Sequence, residues 1–588
     1  MDFTADPGPI SRRLGPLLRR AGRPGPAPAA TQRQPVRPAG PARRSGGGKL
    51  AEVSRGSTLN LIGAAISAVT SIGVTVLVTR QFSPPVAGAF FSATSLFLIF
   101  ESVTSLGAYT GLVYFIARLR LLGEEGRIRV VLRAAIIPVT VASVTGSVVL
   151  LVFAAPLAHA LLGGHFGHSG AATSSVATAL RALAVTLPFA ALMDTVLGAS
   201  RGYRDMRPWV VVNQISRSLL QLAGVMLAAA VGGAALLAPL WAVPYIPAAA
   251  AAWIWLSRIR RRRPAGLTSR QNIPPGLAAL LALSTLVRPD STKLTSGEAY
   301  TDESVRNVSA RSFWRFNAPR ALAVTAQIIV QRLDIVLVGI LRGPTEAAIY
   351  TAATRFLVVG QLGNIAISMA AQPQFTELFA MGARHRVSAL YRATTVWVIL
   401  LMWPLYLLIM VNGAQFLAIF GHAYKAGNTV LIILALSMLL STACGQVDVV
   451  LITAGRSSWS LVNGLVTMAV NVALDLILIP HYGITGAAIA WAAAITVANL
   501  MPLAQIAITA RLYPFGRGMA LVCTLCVVSF GVIPLGARFV LGANPVGIVC
   551  GAAAGTVLMA AGLWFFREPL HLAEMPGFSY FKNNSART

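Results

Sequence analysis

Acidic side chains are scarce in this sequence: 19 Asp and Glu stand against 48 Lys and Arg, and only 11% of the 588 residues are charged. A soluble domain covers its surface with charge, so this scarcity excludes a water-facing shell for most of the chain. Cysteine is scarcer still. Cys444, Cys523, Cys526 and Cys550 all fall inside apolar runs, which gives no basis for a disulfide framework. The C-x-x-C at 523–526 lacks the βαβ surroundings of a redox pair and reads as small core residues. No Walker A sequence and no H-E-x-x-H occurs, so an ATPase or a zincin has no support. His159, His165 and His168 share one loop, but no carboxylate or Cys completes a metal set. No metal and no cofactor is expected. The first 50 residues contain no apolar core of signal-peptide length.

What remains is hydrophobic: 56% of the residues, with a mean hydropathy of +0.69. A membrane-crossing helix needs about 20 predominantly apolar residues, and the chain repeats such runs. Spans are expected near 57–79, 87–112, 134–155, 175–199, 209–231, 235–257, 321–341, 346–373, 393–411, 429–453, 459–480, 484–510, 518–537 and 545–566. The basic residues test this assignment. With the N-terminal tail inside, the cytoplasmic segments hold 40 of the 48 Lys and Arg, the outer loops hold four (Arg80, Arg342, Lys425 and Arg538), and four lie within spans. One miscounted helix would swap every later loop and destroy that asymmetry. The expected fold is therefore all-α and integral to the membrane, with about 14 transmembrane helices and both termini in the cytoplasm.

The layout follows. Residues 1–55 form a basic, Pro/Gly-rich tail, 56–257 a first block of six spans, and 258–320 a cytoplasmic connection with an amphipathic segment at 276–287. Residues 321–510 carry a second block of six, 511–566 two further spans, and 567–588 a short tail. The two blocks repeat. The segment 83-SPPVAGAFFSAT-94 corresponds to 343-GPTEAAIYTAAT-354, with Pro84 and Pro344, Phe90 and Tyr350, and Thr94 and Thr354 at one constant offset. Further on, 194-DTVLGASRG-202 matches 448-DVVLITAGR-456, and Trp241 matches Trp491. Both copies start inside and hold an even number of spans, so they share orientation. Such parallel repeats place a substrate site between them near the midplane.

Ionisable groups at membrane depth are costly and should face a cavity or a partner. Gln214, Arg217 and Gln221 fall on one helical face at i, i+3, i+7. Gln327, Gln331 and Asp334 share another, with Arg332 beside them. Thr354, Gln361, Asn364 and Ser368 form a third, flanked by Arg355. Asn463, Thr467, Asn471 and Asp475 recur every fourth residue, and Glu101 is a lone acid. Arg217, Arg332 and Arg355, with Gln214, Gln221, Gln331, Gln361 and Asn364, are expected to line a polar cavity. Guanidinium groups there would hold an anionic headgroup in a fork. Asp334, Asp475 and Glu101 are expected to couple ions or balance charge. Asp194 and Asp448, near cytoplasmic helix ends, are expected to pair with Arg201 and Arg456 or to cap the adjoining loop. The repeated G-x-x-x-G at Gly547, Gly551 and Gly555 reads as helix packing, within the chain or between subunits.

The second block carries 331-QRLDIVLVGILRGPTEAAIYTAATRF-356, 372-QPQFTELFAMG-382 and 479-IPHYGITGAAIAW-491. These segments resemble the polysaccharide-export flippases of the multidrug/oligosaccharidyl-lipid/polysaccharide transporter superfamily. Ala348 departs from the glycine usual in that pattern, which the first block keeps as Gly88. The resemblance implies two rocking lobes that move an undecaprenyl-pyrophosphate-linked oligosaccharide across the cytoplasmic (inner) membrane for surface polysaccharide synthesis. It implies a polysaccharide polymerase and glycosyltransferases as partners, with no nucleic acid despite a net charge of +29. A multidrug–cation antiporter and a peptidoglycan-precursor flippase are the alternatives within the superfamily. A membrane-embedded polymerase or ligase would need a sizeable outer loop, and the outer connections are short.

Overall fold

The computed structural model describes residues 46–162, 170–261 and 309–566. The basic tail before residue 46, the segment 276–287, His165, His168 and residues 567–588 lie outside the described residues.

Every regular element among the described residues is helical. In chain order these are α1 (Gly46–Gln81), α2 (Pro84–Thr104), α3 (Ala108–Leu121), α4 (Ile128–Val152), α5 (Ala154–Leu161) and α6 (Gly170–Gly202). Next come α7 (Trp209–Val231), α8 (Leu237–Ala242), α9 (Tyr245–Arg261), α10 (Ala310–Arg342), α11 (Pro344–Ala380) and α12 (Arg384–Leu417). The last are α13 (Asn428–Ala443), α14 (Val447–Thr453), α15 (Ser457–Ala510), α16 (Arg517–Leu541) and α17 (Pro545–Phe565). Among the described residues, twelve stretches of these helices are long and apolar enough to cross a bilayer.

One of the twelve is two crossings. α15 runs for 54 residues, about 80 Å at 1.5 Å per residue, against a hydrocarbon core of about 30 Å. Its continuity breaks at Gly483, where φ of 56° and ψ of −136° suit a residue without a Cβ. A span-length helix remains on either side. With α15 counted twice and the 37-residue α11 added, the expected fourteen crossings are all present as helices.

Two boundaries differ from expectation. α10 begins at Ala310 rather than 321, because Ser309 and Ser312 close a capping box there and start the helix inside the expected connection. The span expected at 87–112 is not one rod. Leu106 and Gly107 take consecutive left-handed conformations, with φ of 50° and 57°, and separate α2 from α3. Asn317 of α10 straddles this break. Its Nδ2 donates to the Leu106 carbonyl at 2.8 Å, and its Oδ1 accepts from the Gly111 N–H at 3.0 Å. Beside it, Tyr114 of α3 stacks on Phe316 of α10 at 4.3 Å.

Burial is inverted relative to a water-soluble protein. Val231, Phe539, Val557 and Trp564 are exposed, while Asp334, Asn471 and Asp475 are buried. Apolar exteriors and enclosed polar groups are what a lipid solvent requires. The chain is a multi-pass membrane protein.

The repeated segments meet in space. α2 packs along both α10 and α11, and Gly88 sits so close to the Pro344 carbonyl that a Cβ would overlap it. Pro84 and Pro344 each lie in the first turn of their helix, where a missing N–H is tolerated. α6 packs against both α4 and α9. The glycine stripe of α17 packs within the chain: a Cβ on Gly551 would lie 2.9 Å from Pro534 Cα of α16.

Candidate functional site

α7 opens with a π-helical stretch, Trp209–Arg217, before continuing as an α-helix. Arg217 closes that stretch and is held from three sides. Its Nε donates to Asn213 Oδ1 at 2.8 Å, and its Nη1 to Gln221 Oε1 at 2.9 Å and to the Tyr245 hydroxyl at 3.3 Å. The guanidinium also lies 5.1 Å from the Tyr245 ring centre, a cation–π contact. α10 and α11 bring Arg332 and Arg355 to the same place. All three arginines line one cavity of about 290 Å³.

Neither Arg332 nor Arg355 has a hydrogen bond or an ion pair with any described residue, and the Arg355 Nε is buried without a partner. The cavity also holds Glu101 of α2 and Asp194 of α6. Three fixed positive charges thus face two carboxyl groups, from helices of both halves of the chain. Trp241 and Tyr245 supply aromatic surface, and Ser67, Thr70 and Ser71 of α1 supply hydroxyls.

Of the residues singled out from the sequence, Arg217, Arg332, Arg355, Gln221 and Glu101 come together here. Gln214, Gln331, Gln361 and Asn364 do not line this cavity. For Gln214 the reason is the π winding, which holds more residues per turn than an α-helix and so carries position 214 off the Arg217 face. Its amide donates instead to Asn60 at 3.2 Å. Gln331 and Gln361 are exposed; Gln331 precedes Arg332 by one residue and lies about 100° round the helix from it. Asn364 is tied to Gln446, whose Nε2 donates to it at 2.6 Å.

Asp334 and Asp475 are both buried, and neither lines that cavity. Asp334 accepts from the Tyr350 hydroxyl at 2.5 Å and from the Ile335 N–H at 2.9 Å. Asp475 is fully buried, and neither of its oxygens has a hydrogen-bond partner among the described residues; the same holds for both polar atoms of Asn471. Buried polar groups in native proteins are almost always satisfied, so this cluster has room in its bonding for a small polar occupant.

Two expectations about acids are corrected. Asp194 makes no salt bridge with Arg201, which lies instead over the Trp209 ring at 5.1 Å. It turns into the arginine cavity because its position on α6 faces α2 and α7 rather than the helix end. Arg456 likewise stacks on Trp459 at 4.7 Å and does not pair with Asp448. Sequence reasoning also passed over the α1 hydroxyls, although Ser67, Thr70, Ser71 and Thr75 recur at i, i+3, i+4, i+8. Such hydroxyls commonly bond their own helix, and Thr70 does donate to the Ile66 carbonyl at 2.9 Å.

Residues 319–477, in the second half of the chain, match the MatE family model. A probable low-salt glycan biosynthesis flippase, Agl15 of Haloferax volcanii, is 22% identical over 194 residues, covering 33% of this chain and 41% of the relative. The alignment thus spans less than half the relative's length. Among solved structures, the lipid II flippase MurJ in an inward closed conformation superposes with a TM-score of 0.64 at 13% identity, over 87% of this chain and 99% of MurJ. An inward-facing multidrug resistance MATE family transporter of the MOP superfamily gives 0.55 at 14% identity, over 77% of this chain and 98% of that one. The chain has the fold these transporters share.

Proposed function

We propose that this protein is a flippase that carries a lipid-linked glycan precursor, an oligosaccharide on a polyprenyl diphosphate, between membrane leaflets. The observation that carries the reading is the pair Arg332 and Arg355, two cations with no hydrogen bond or ion pair to any described residue, in a cavity that Arg217 already makes positive. A desolvated cation needs a counter-charge. A diphosphate offers oxygens in the spacing that guanidinium forks bind. Trp241 and Tyr245 give a surface against which a first sugar ring can rest. At about 290 Å³ the cavity is near the small end of ligand sites, so it takes the headgroup and leaves the prenyl chain in lipid. The name of the Agl15 relative and the fold shared with MurJ point the same way.

An organic-cation antiporter is disfavoured, because the same three arginines would repel its cargo. Transport proceeds by alternating access, with Glu101, Asp194 and the second-half arginines exchanging partners as substrate enters and leaves. The unsatisfied Asp475 and Asn471, next to Asp334, take a proton or a monovalent cation that drives the cycle. The protein sits in the cytoplasmic membrane with both termini inside, a reading supported by the distribution of its basic residues. Glycosyltransferases supply its substrate and a polymerase consumes the product.

The test is a reconstituted flipping assay in proteoliposomes with a fluorescent, short-chain polyprenyl diphosphate sugar. Replacing Arg217, Arg332 and Arg355 together with Ala should abolish transport while membrane insertion persists. Undiminished flipping by that variant overturns the assignment.

A further inference from the structure

A second group of arginines shares no residue with that cavity. α4 and α9 both pack on α6 but not along one another, and the cleft left between them measures about 660 Å³. Arg129 and Arg133, one turn apart on α4, form one wall; Arg260 and Arg261, at the end of α9, form the other. All four are exposed. None has a hydrogen bond or an acidic partner among the described residues, and the neighbouring acids are engaged elsewhere, Glu124 with Arg127 at 3.1 Å and Glu125 with Arg120 at 3.6 Å.

The cleft changes character along its length. One turn beyond Arg133 come Ile136 and Ile137; two turns before Arg261 comes Trp253. At 1.5 Å per residue the charged rim and the tryptophan are about 12 Å apart, roughly the depth from lipid headgroups into the upper acyl region. Ile137 and Trp253 are more than half exposed, so the cleft opens onto the lipid-facing surface. A free phosphate would satisfy the rim alone. An amphiphile with a phosphate head matches both ends.

We propose that this cleft is a binding site for an anionic phospholipid, and that its two arginine pairs favour a headgroup with two phosphates, as in diphosphatidylglycerol. Each pair presents guanidinium forks to one phosphate, and the acyl chains run past Ile137 and Trp253. Basic pockets between transmembrane helices recognise such headgroups. The site is independent of what the central cavity carries.

The experiment uses the full chain in phosphatidylcholine nanodiscs doped with phosphatidylglycerol or diphosphatidylglycerol, with retained lipid counted by native mass spectrometry after mild delipidation. Wild type should retain diphosphatidylglycerol in preference to phosphatidylglycerol. At about 1 kcal/mol for each basic group near an anionic surface, the double variant R133A/R260A should bind about thirtyfold more weakly. R133K/R260K keeps the charge but loses the forks, and should retain anionic lipid without preferring two phosphates. Equal retention by wild type and R133A/R260A overturns the site. Displacement of the phospholipid by added polyprenyl diphosphate overturns its assignment to a membrane phospholipid.

Discussion

Replacing each cavity arginine with methionine, one at a time, separates two consequences that usually move together. All three substitutions remove one positive charge from the chamber, yet their effects on stability should differ in sign. Arg217→Met deletes hydrogen bonds at 2.8, 2.9 and 3.3 Å and strands the Asn213, Gln221 and Tyr245 acceptors. At about 1.5 kcal/mol for each well-formed bond to a charged group, and little for the longest, the loss is roughly 3 kcal/mol. Arg355→Met deletes none, since Arg355 bonds to no described residue. Methionine there relieves the penalty of an enclosed, unpaired guanidinium, a gain of about 1–2 kcal/mol. Arg332→Met should behave like Arg355→Met. Heating detergent-purified protein and measuring the monodisperse fraction by size exclusion reads both signs, and the flipping assay reads function. The expected result is that transport falls in all three, while thermal stability drops for Arg217→Met and rises for the other two. A loss of stability for Arg355→Met comparable to that of Arg217→Met would refute the claim that Arg355 lacks a protein partner.

Three other substitutions have outcomes set by the contacts described above. Asp475→Asn removes a buried carboxylate with no hydrogen-bond partner, so the protein should gain stability and lose the gradient-driven part of transport; full stimulation by an imposed ion or proton gradient would refute the coupling role. Gly88→Val places a branched side chain against the Pro344 carbonyl, and overpacking of about 1–3 kcal/mol or more should show as reduced monodisperse yield; normal yield would mean α2 and α11 do not approach so closely. Asn317→Ala leaves the Leu106 carbonyl and the Gly111 N–H unpaired, a loss of roughly 2 kcal/mol in thermal unfolding, whereas a shift within error would deny the bridge.

The sequence made the crossings legible because hydropathy and charge asymmetry are one-dimensional: helix existence needs only apolar length, and orientation needs only where the cations fall. What it left hidden is rotational. A polar stripe identifies a face, but in a bundle that face can meet water, lipid or another helix. Arg217 and Gln221 kept the α-helical relation that the spacing assumed, while Gln214, three residues earlier, fell under π winding that no residue type announces. Gln446 was invisible as the partner of Asn364 because the two come from different helices. Asp194 was misassigned for a similar reason: its nearest cation along the chain is Arg201, yet it lines one cavity with Glu101 and Arg217. The left-handed pair at Leu106 and Gly107 was equally silent, since leucine rarely takes that conformation and is held there by an asparagine some two hundred positions away.

That asparagine alters where the molecule can flex. The lower part of the second crossing is tied to the seventh by Asn317 and by a stacked tyrosine and phenylalanine, and it meets its upper part at two residues that already sit in an unusual backbone state. A crossing interrupted in this way can bend at its middle, between α2, which lies along α10 and α11, and α3, which lies chiefly against α6 and α4.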